Sequence, residues 1–269
     1  MLVQYGRSSR WILVAALFII GCDQWFEYSP YECRLPEKYR NHIAKNLARL
    51  GQTPQTTVYP IRIALVSDNH TDYQALQHMI GTINQLKPDF TIIGGDLTDL
   101  GLQEEYIQSF DCFKKLTTPF FPVIGNHDYL SNGAAVFRSM YGPPNYTIDH
   151  HNIRFIFWDD IIWENDNQSP DFSWLDEQLS QGQEALYRIV IAHIPPSGDQ
   201  MKDRYDSVYC QLMRKHDVAI SIHGHNHYYR YSERYGDGVA YLIVPNIAKK
   251  TSVWLEIDSS GIRVIKEEL

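Results

Sequence analysis

Short apolar stretches that alternate with helical segments are the feature of this sequence that most restricts its fold. From Ile61 onward the pattern predicts strand, helix, strand, helix, strand, with strands at Ile61–Val66, Phe90–Ile93 and 120–124. This order is typical of a parallel sheet with helices on its faces. Further strands are predicted at 153–158, 187–192 and 218–222, and three closing antiparallel strands are predicted at 241–244, 252–257 and 262–265. The sequence therefore predicts an α/β fold.

Polar side chains that can bind metal ions follow five of these segments. They are Asp68, His70, Asp96, Asn126, His127, His193, His225 and His227. Because the carboxyl ends of parallel strands meet at one edge of a sheet, we expect these side chains to converge there. Imidazole nitrogens, carboxylates and an amide oxygen suit divalent first-row metals, and the set is large enough for two ions. Such a pair of ions suits phosphoryl chemistry, since it activates water and stabilises an in-line transition state.

The charge balance restricts the partners of the chain. The sequence has 24 Lys and Arg against 32 Asp and Glu, a formal net charge of −8. Proteins that coat nucleic acid need a basic surplus to contact the phosphate backbone, so no nucleic acid partner is expected. Two dications with Asp68 and Asp96 as their only carboxylate ligands would leave a local charge of about +2. A small phosphorylated substrate is therefore compatible with the acidic chain.

Five motifs carry a resemblance to a known family. They are Asp68-Asn69-His70, Gly95-Asp96-Leu97-Thr98-Asp99, Gly125-Asn126-His127-Asp128, His193 and Gly224-His225-Asn226-His227. Together, over about residues 61–231, they resemble the calcineurin-like metallophosphoesterase superfamily. The resemblance implies a four-layer sandwich, in which two mixed β-sheets pack together and are flanked by helices, within a domain over residues 60–269.

The same resemblance implies roles for individual residues. One metal ion would be held by Asp68, His70, Asp96 and His227. Asp96 would bridge to a second ion, held also by Asn126, His193 and His225. The expected nucleophile is a metal-bound hydroxide, and the two divalent ions would be Mn, Fe, Zn or Mg. His127 would stabilise the transition state or protonate the leaving oxygen, and Asp99 would orient and charge-tune His127.

Differences from the motifs of two related groups of phosphatases restrict the class of enzyme that is expected. Purple acid phosphatases have a Tyr ligand at the position of Asp99, so a tyrosinate-bound ferric site is not expected. Protein Ser/Thr phosphatases have Arg and Gly after the equivalent Asp, where Leu100 follows here, and Glu at the position of Asp128. The predicted activity is hydrolysis of a phosphate monoester or diester. The alternative is a non-catalytic scaffold of the same fold, against which the intact ligand set and His127 argue.

The first 21 residues resemble a bacterial lipoprotein signal peptide. Arg7 and Arg10 precede an apolar run over residues 11–21, which is too short to span a bilayer as a helix. The run ends in Ile19-Ile20-Gly21-Cys22, a sequence similar to a lipobox. We expect cleavage before Cys22, and lipid on Cys22 that anchors the exported chain to a bacterial membrane, on the periplasmic or cell-surface side. Residues 22–59 are predicted as a tether and one helix.

Three other sequence features are interpreted as structural rather than catalytic. The predicted helix carries an apolar stripe, Tyr39, Ile43, Leu47 and Leu50, that is expected to pack on the main domain. His150 and His151, between two predicted strands, are interpreted as a turn rather than as a third metal site. Asp159 and Asp160, after another strand, are interpreted as loop residues. The pattern does not predict the substrate or the oligomeric state.

Overall fold

A computed structural model describes residues 31–52, 60–233, 235–236 and 238–269. The larger compact unit of the chain extends over Cys33–Leu269. The predicted signal peptide and the lipidated Cys22 lie outside the described residues, as does most of the tether. Among the residues that are described, no helix has the length and apolar character needed to cross a membrane. Export, lipid attachment and the domain boundaries stay predictions.

Strands and helices alternate along most of the described chain. The strands are β1 (Ile61–Val66), β2 (Phe90–Ile93), β3 (Phe120–Pro122), β4 (Tyr146–His150), β5 (Ile153–Phe157), β6 (Tyr187–Ile191), β7 (Ile220–His223), β8 (Arg230–Ser232), β9 (Ala240–Ile243), β10 (Thr251–Asp258) and β11 (Gly261–Glu268). The α-helices are α1 (His42–Leu50), α2 (Tyr73–Leu86), α3 (Gln103–Phe113), α4 (Asn126–Tyr129), α5 (Gly133–Met140), α6 (Phe172–Gln181) and α7 (Asp206–Lys215). Short 3-10 helices occupy Glu37–Tyr39, Trp163–Asn165 and Ile247–Lys249.

The strands form two mixed sheets flanked by helices, which confirms the predicted α/β sandwich. The first sheet has the order β11-β10-β1-β2-β3 and the second has the order β4-β5-β6-β7-β9-β8. The central strands β1, β2 and β3 are parallel, as are β5, β6, β7 and β9. β10 and β11 pair antiparallel as predicted. The prediction for residues 241–244 is wrong in part, because β9 pairs antiparallel with β8 but parallel with β7.

Aromatic side chains connect the two sheets. Phe90 of β2 meets Phe155 of β5 edge to face with ring centroids 5.1 Å apart, and Phe121 of β3 lies 6.4 Å from Phe157 of β5. All four rings are fully buried. Burial of each such ring stabilises the fold by about 1.5–3 kcal/mol. This packing holds the carboxyl ends of strands from both sheets beside one another.

The amino-terminal helix differs from its prediction in where it begins and which face it buries. Asn41 has a left-handed φ of 57°, which separates the 3-10 turn Glu37–Tyr39 from α1. Ile43 and Leu50 are buried as expected, but Leu47 is exposed. The buried polar residue of this face is Asn46, whose side-chain amide donates to the carbonyl of Phe120 at 2.9 Å. The helix therefore packs on the domain partly through a hydrogen bond rather than through apolar residues alone.

Candidate metal centre

Five of the seven predicted ligand residues follow strand ends in an unusual backbone conformation. Asp68, His70, Asp96, His225 and His227 all have φ between 44° and 66°. Left-handed backbone is costly for residues other than glycine, and it concentrates at functional sites where the surrounding structure enforces it. Sharp turns of this kind place side chains from separate strands in one small volume.

A glycine allows the chain to approach the centre of this volume. A Cβ atom on Gly125 would lie 2.2 Å from the backbone nitrogen of Asp96. Gly125 precedes α4, a single turn of helix that the sequence pattern did not predict and that presents Asn126 and His127. The backbone N–H of His127 donates to Asp96 Oδ1 at 2.9 Å. The turn is thereby fixed to the carboxylate at the centre of the site.

Four of the predicted ligands form one cluster, called here the outer group: Asp68, His70, Asp96 and His227. One ligand atom from each lies within 4.8 Å of the others. His227 Nε2 lies 3.2 Å from Asp68 Oδ1 and 3.3 Å from His70 Nε2. His70 Nε2 lies 3.9 Å from Asp96 Oδ2. Two imidazole nitrogens and two buried carboxylates therefore face a common point.

The remaining predicted ligands form a second cluster, called here the inner group: Asp96, Asn126, His193 and His225. His193 Nε2 lies 3.3 Å from Asp96 Oδ2 and 3.2 Å from Asn126 Oδ1. The same Asn126 oxygen is 3.1 Å from His225 Nδ1. Asp96 Oδ2 thus faces a histidine of each group. The structure brings all seven predicted ligands together, with Asp96 between the two sets.

Further contacts fix the donor atoms of the inner group. His193 Nδ1 lies 2.7 Å from the carbonyl of Gly94, and a ring nitrogen must donate its proton to a carbonyl. Nε2 is consequently the His193 ring nitrogen that faces the centre, and a metal ion would bind it in place of a proton. The Asn126 side-chain nitrogen donates to Glu164 Oε1 at 3.2 Å, which turns Asn126 Oδ1 inward. Glu164 is itself held by the side chain of Gln200 at 2.8 Å.

The electrostatics of the site favour a bound cation. Burial lowers the pKa of His193, but the carboxylates of Asp96 and Asp68 outweigh this effect and raise it to about 10. Burial raises the pKa of Asp96, yet the neighbouring His193, His127 and His70 hold it below its usual value. Buried carboxylates and imidazole nitrogens at these distances are the donor set of divalent metal ions. The residues present therefore fit a metal centre.

The structure differs from the prediction in how Asp99 contacts His127. His127 Nδ1 donates to the backbone carbonyl of Asp99 at 2.8 Å, rather than to its carboxylate. The Asp99 carboxylate instead lies 3.2 Å from His70 Nδ1 and accepts a hydrogen bond from the hydroxyl of Thr71. The turn after Asp96 brings the backbone carbonyl of Asp99 to hydrogen-bonding distance of the imidazole, while a carboxylate oxygen of Asp99 lies within 4.8 Å of a His127 ring nitrogen. Asp99 therefore orients His127 through a neutral group.

Three acidic residues support the site in roles that the sequence did not predict. Besides Glu164, Asp160 accepts the backbone N–H groups of His193 and Ile194 at 3.2 and 2.9 Å. Burial raises the pKa of Asp160 to about 8. Asp128 accepts the N–H of Gly125 at 2.9 Å and also binds the turn at residues 97–98. Asp160 follows β5 as other site residues follow their strands, so the strand-end pattern was the available signal.

Comparison with known proteins agrees with this geometry. Residues 61–229 match the profile of the family described as "Calcineurin-like phosphoesterase". The match covers more than half of the chain, so the chain belongs to this family. It is a metal-dependent phosphoesterase family, and the cluster of Asp and His residues at the strand ends is a possible metal-binding site.

Two curated bacterial relatives are similar over part of their length. An "Uncharacterized metallophosphoesterase YkuE" from Bacillus subtilis is 27% identical over 184 residues, covering 62% of this chain and 58% of the relative. A "Probable glycerophosphodiester phosphodiesterase GpdQ" from Arcobacter nitrofigilis is 32% identical over 133 residues, covering 46% of this chain and 49% of the relative. The chain thus spans about half to three fifths of the length of these two relatives.

Solved structures share the fold at low sequence identity. A dimetal phosphatase from Danio rerio superposes with a TM-score of 0.60 at 12% identity, over 77% of this chain and 99% of the other. A purple acid phosphatase from yellow lupin (Lupinus luteus) superposes with a TM-score of 0.62 at 15% identity, over 80% of this chain and 52% of the other. These similarities establish the sandwich fold.

Proposed function

We propose that this protein is a dinuclear metal-dependent phosphoesterase that hydrolyses small phosphodiesters. The observation that carries the proposal is the position of Asp96, whose Oδ2 faces His70 of the outer group and His193 of the inner group. One carboxylate shared by two complete donor sets is the arrangement needed for two ions a few ångströms apart. The outer group supplies Asp68, His70 and His227, and the inner group supplies Asn126, His193 and His225.

The chemistry divides between the ions and the protein. When bound, divalent ions lower the pKa of water and neutralise charge that develops on phosphoryl oxygens. The protein supplies His127, whose Nδ1 is committed to the carbonyl of Asp99. Nε2 is therefore the ring atom that, when the ring carries both protons, would give one to the leaving alkoxide or hydrogen-bond a phosphoryl oxygen. The short helix α4 keeps this imidazole beside Asn126.

A diester substrate is supported by the names of relatives, and the donor set is compatible with it. One relative, from Arcobacter nitrofigilis, is named "Probable glycerophosphodiester phosphodiesterase GpdQ", and another, from Enterobacter lignolyticus, is named "Glycerophosphodiester phosphodiesterase GpdQ". Asn126, a neutral ligand, preserves positive charge at the centre that a further carboxylate would reduce. Hydrolysis of a diester displaces an alkoxide from an anionic phosphoryl group, and this positive charge together with a proton donor serves that reaction as it would serve a monoester. We expect higher turnover of diesters than of monoesters.

We also propose that the enzyme acts as an exported, lipid-anchored protein. The support is the sequence of residues 1–22, with its basic start, apolar run and Cys22. Metabolic labelling with a radioactive fatty acid tests this directly in bacterial cells. Label in the wild type and none in Cys22→Ser is the expected result, and equal labelling of the two proteins would reject the anchor.

Turnover of chromogenic esters tests the catalytic proposal. The purified protein is assayed with bis(p-nitrophenyl) phosphate and p-nitrophenyl phosphate at increasing Mn²⁺, and Asp96→Asn is compared with Asp217→Asn. Both substitutions make the same chemical change, but Asp217 is exposed on a left-handed turn before β7, at the opposite end of that strand from His225. We expect Asp96→Asn to abolish turnover and Asp217→Asn to retain it.

The outcomes separate the enzyme from the scaffold alternative. Metal bound without turnover of either ester would support a non-catalytic metal-binding scaffold. Equal turnover in Asp96→Asn and the wild type would reject the shared carboxylate. Faster turnover of the monoester than of the diester would retain the phosphoesterase but reject the diester substrate class.

A further inference from the structure

A second group of potential ligands lies at the other end of β2 from the metal centre. Asp89 immediately precedes β2, His150 is the last residue of β4, and His151 begins the two-residue turn that leads into β5. One ligand atom from each of the three residues lies within 4.8 Å of the others. We propose that these three residues bind one first-row transition-metal ion of the Zn²⁺ type, and that this ion joins the two sheets.

The proposed site is separate from the catalytic ligands. Asp89 and Asp96 stand at opposite ends of the four-residue strand β2. The four residues of β2 alone span roughly 13 Å, so the two carboxylates cannot share an ion. Asp89 belongs to the first sheet and His150 to the second. An ion between them would close the sandwich at the edge away from the phosphoesterase centre.

The buried imidazole of His150, which has an unpaired ring nitrogen, is the feature that indicates a bound ligand. His150 is 5% exposed, and its Nε2 is buried without a hydrogen-bond partner among the described residues. This nitrogen faces Asp89 Oδ1 at 3.6 Å. A buried polar atom without a hydrogen-bond partner destabilises the folded protein by about 1–3 kcal/mol, so a ligand that binds this nitrogen would stabilise it. Ligand bonds of about 2.0 Å in a tetrahedral shell separate neighbouring donors by about 3.3 Å, close to the observed spacing.

The surrounding contacts hold two of the donors in place. Asp89 Oδ2 accepts the backbone N–H of Arg62 at 2.9 Å, and the N–H of Asp89 donates to the carbonyl of Arg62 at 2.8 Å. Asp89 Oδ1 is thereby left toward His150. The His150 ring lies between the ring of Phe90 at 5.8 Å and the ring of His151 at 4.1 Å. A carboxylate and an imidazole fixed in this way need little reorganisation to bind an ion.

The local charges favour a transition metal over Ca²⁺ or Mg²⁺. Burial raises the pKa of Asp89, but the facing His150 imidazole and the hydrogen bond from Arg62 outweigh it and hold the pKa below its usual value. Arg49 and Lys87 line the same open cleft as Asp89. These two cations weaken simple electrostatic attraction of a hard ion. Bonds to imidazole nitrogens, which zinc and its neighbours prefer, would have to retain the metal.

The turn between β4 and β5 supplies a variant that preserves the fold. His151 has φ of 47°, a left-handed conformation that asparagine accepts readily. His151→Asn therefore removes an imidazole without new strain in the backbone. His78→Asn makes the same change at an exposed position of α2 and is the matched control.

Equilibrium dialysis against Zn²⁺, followed by elemental analysis, tests the proposal. We expect the wild type and His78→Asn to retain one more Zn²⁺ per chain than His151→Asn, and all three to hydrolyse phosphodiesters equally with Mn²⁺. Equal Zn²⁺ content in the three proteins would overturn the site. A loss of Zn²⁺ that is accompanied by loss of turnover would also overturn it, because the removed ion would then belong to the catalytic centre.

A second variant, at Asp89, tests whether the His151→Asn result reflects loss of a ligand rather than a structural change in the turn. Asp89→Asn keeps an oxygen that can accept from Arg62 but removes the anionic donor. Added Zn²⁺ should raise the melting temperature of the wild type by more than that of Asp89→Asn, because an ion that binds only the folded chain stabilises it. An anomalous scattering peak between Asp89 and His150 in zinc-soaked crystals would locate the ion. The absence of both the extra thermal shift and the peak would reject the proposal.

Discussion

The two halves of the candidate metal centre differ in how firmly the protein holds their donor atoms. In the inner group, His193 is fully buried, its tautomer is fixed by the carbonyl of Gly94, and Asn126 is oriented by Glu164. In the outer group, the side chain of His227 is 43% exposed, and its closest polar neighbours are the other ligands Asp68 and His70. The outer group also has supporting contacts, because the backbone N–H of His225 binds Asp68 and the Asp99 carboxylate lies beside His70. The outer half is therefore less firmly held chiefly at His227, the most exposed of the ligand histidines.

This difference leads to an expectation about metal affinity. Supporting contacts of the inner kind typically change metal affinity or activity about 10–100-fold when they are lost. A donor set with one exposed and less constrained ligand, here His227, is expected to bind more weakly and to exchange its ion with solvent more readily. We expect the inner ion to stay through dialysis and the outer ion to require added metal in the assay.

Removal of one histidine from each half gives the largest predicted effects. His193→Ala should lose phosphoesterase activity at every Mn²⁺ concentration, because no other donor can reach the buried position. His227→Ala should lose activity at low Mn²⁺ and recover part of it at high Mn²⁺, since water can take the place of an exposed ligand. Activity measured across a Mn²⁺ titration, with metal content by elemental analysis, distinguishes the two variants. Recovery of His193→Ala but not of His227→Ala would reverse the comparison.

The next largest effect concerns His127, which contacts both sides of the centre without belonging to either donor set. Its ring meets that of His70 at 4.8 Å, and its backbone N–H binds Asp96. His127→Ala should reduce turnover of an alkyl phosphodiester by about 10²–10⁴-fold through loss of general acid catalysis. A p-nitrophenyl diester, whose leaving group needs no proton, should be affected less.

Metal content provides the control for His127. The variant should bind the same number of ions as the wild type. An equal loss of turnover with both esters would contradict proton donation and leave only a role in binding the phosphoryl group. Loss of bound metal would show that His127 is part of a donor set.

Substitution of Glu164 tests whether the contacts that orient the inner-group ligands contribute to metal binding. Glu164→Ala removes the acceptor that holds the Asn126 amide, so its oxygen is no longer fixed toward His193 and His225. We expect activity at limiting Mn²⁺ to fall about 10–100-fold, with partial recovery at saturating metal. Glu184→Ala, at an exposed glutamate, should behave as the wild type. Unchanged metal dependence in Glu164→Ala would remove the main physical reason for the difference between the halves.

The ligand residues were predictable because they follow strands, whereas the residues that hold those ligands in place were not. Asp68, Asp96 and His193 each come after an apolar run, and parallel strands bring such positions to one edge of a sheet. Glu164 lies in a 3-10 turn among polar residues and reaches Asn126 across 38 positions of sequence. No local pattern predicts such a contact, since it depends on how the loop after β5 packs.

The errors in the fold have a similar origin. Strand β4 was missed although its neighbour β5 was predicted, because β4 pairs at the sheet edge and its sequence, Tyr146–His150, alternates with polar residues. The turn at His151 was predicted, but the approach of Asp89 to His150 was not. That contact joins two sheets, and the alternation of strands and helices contains no information on how two sheets face each other.

The smallest predicted effect separates two roles for Asp99 in the outer half. Sequence resemblance implies that its carboxylate tunes the charge of His127, whereas the structure gives that contact to its backbone carbonyl. Asp99→Asn keeps the carbonyl and should leave the pH profile of kcat unchanged. The carboxylate near His70 is 43% exposed, so its loss should reduce activity less than about tenfold. The pH profile of the variant decides between the roles. A shift in the part of the profile assigned to His127 would show that the Asp99 carboxylate tunes the charge of His127. An unshifted profile with weaker metal binding would show that the carboxylate acts on His70.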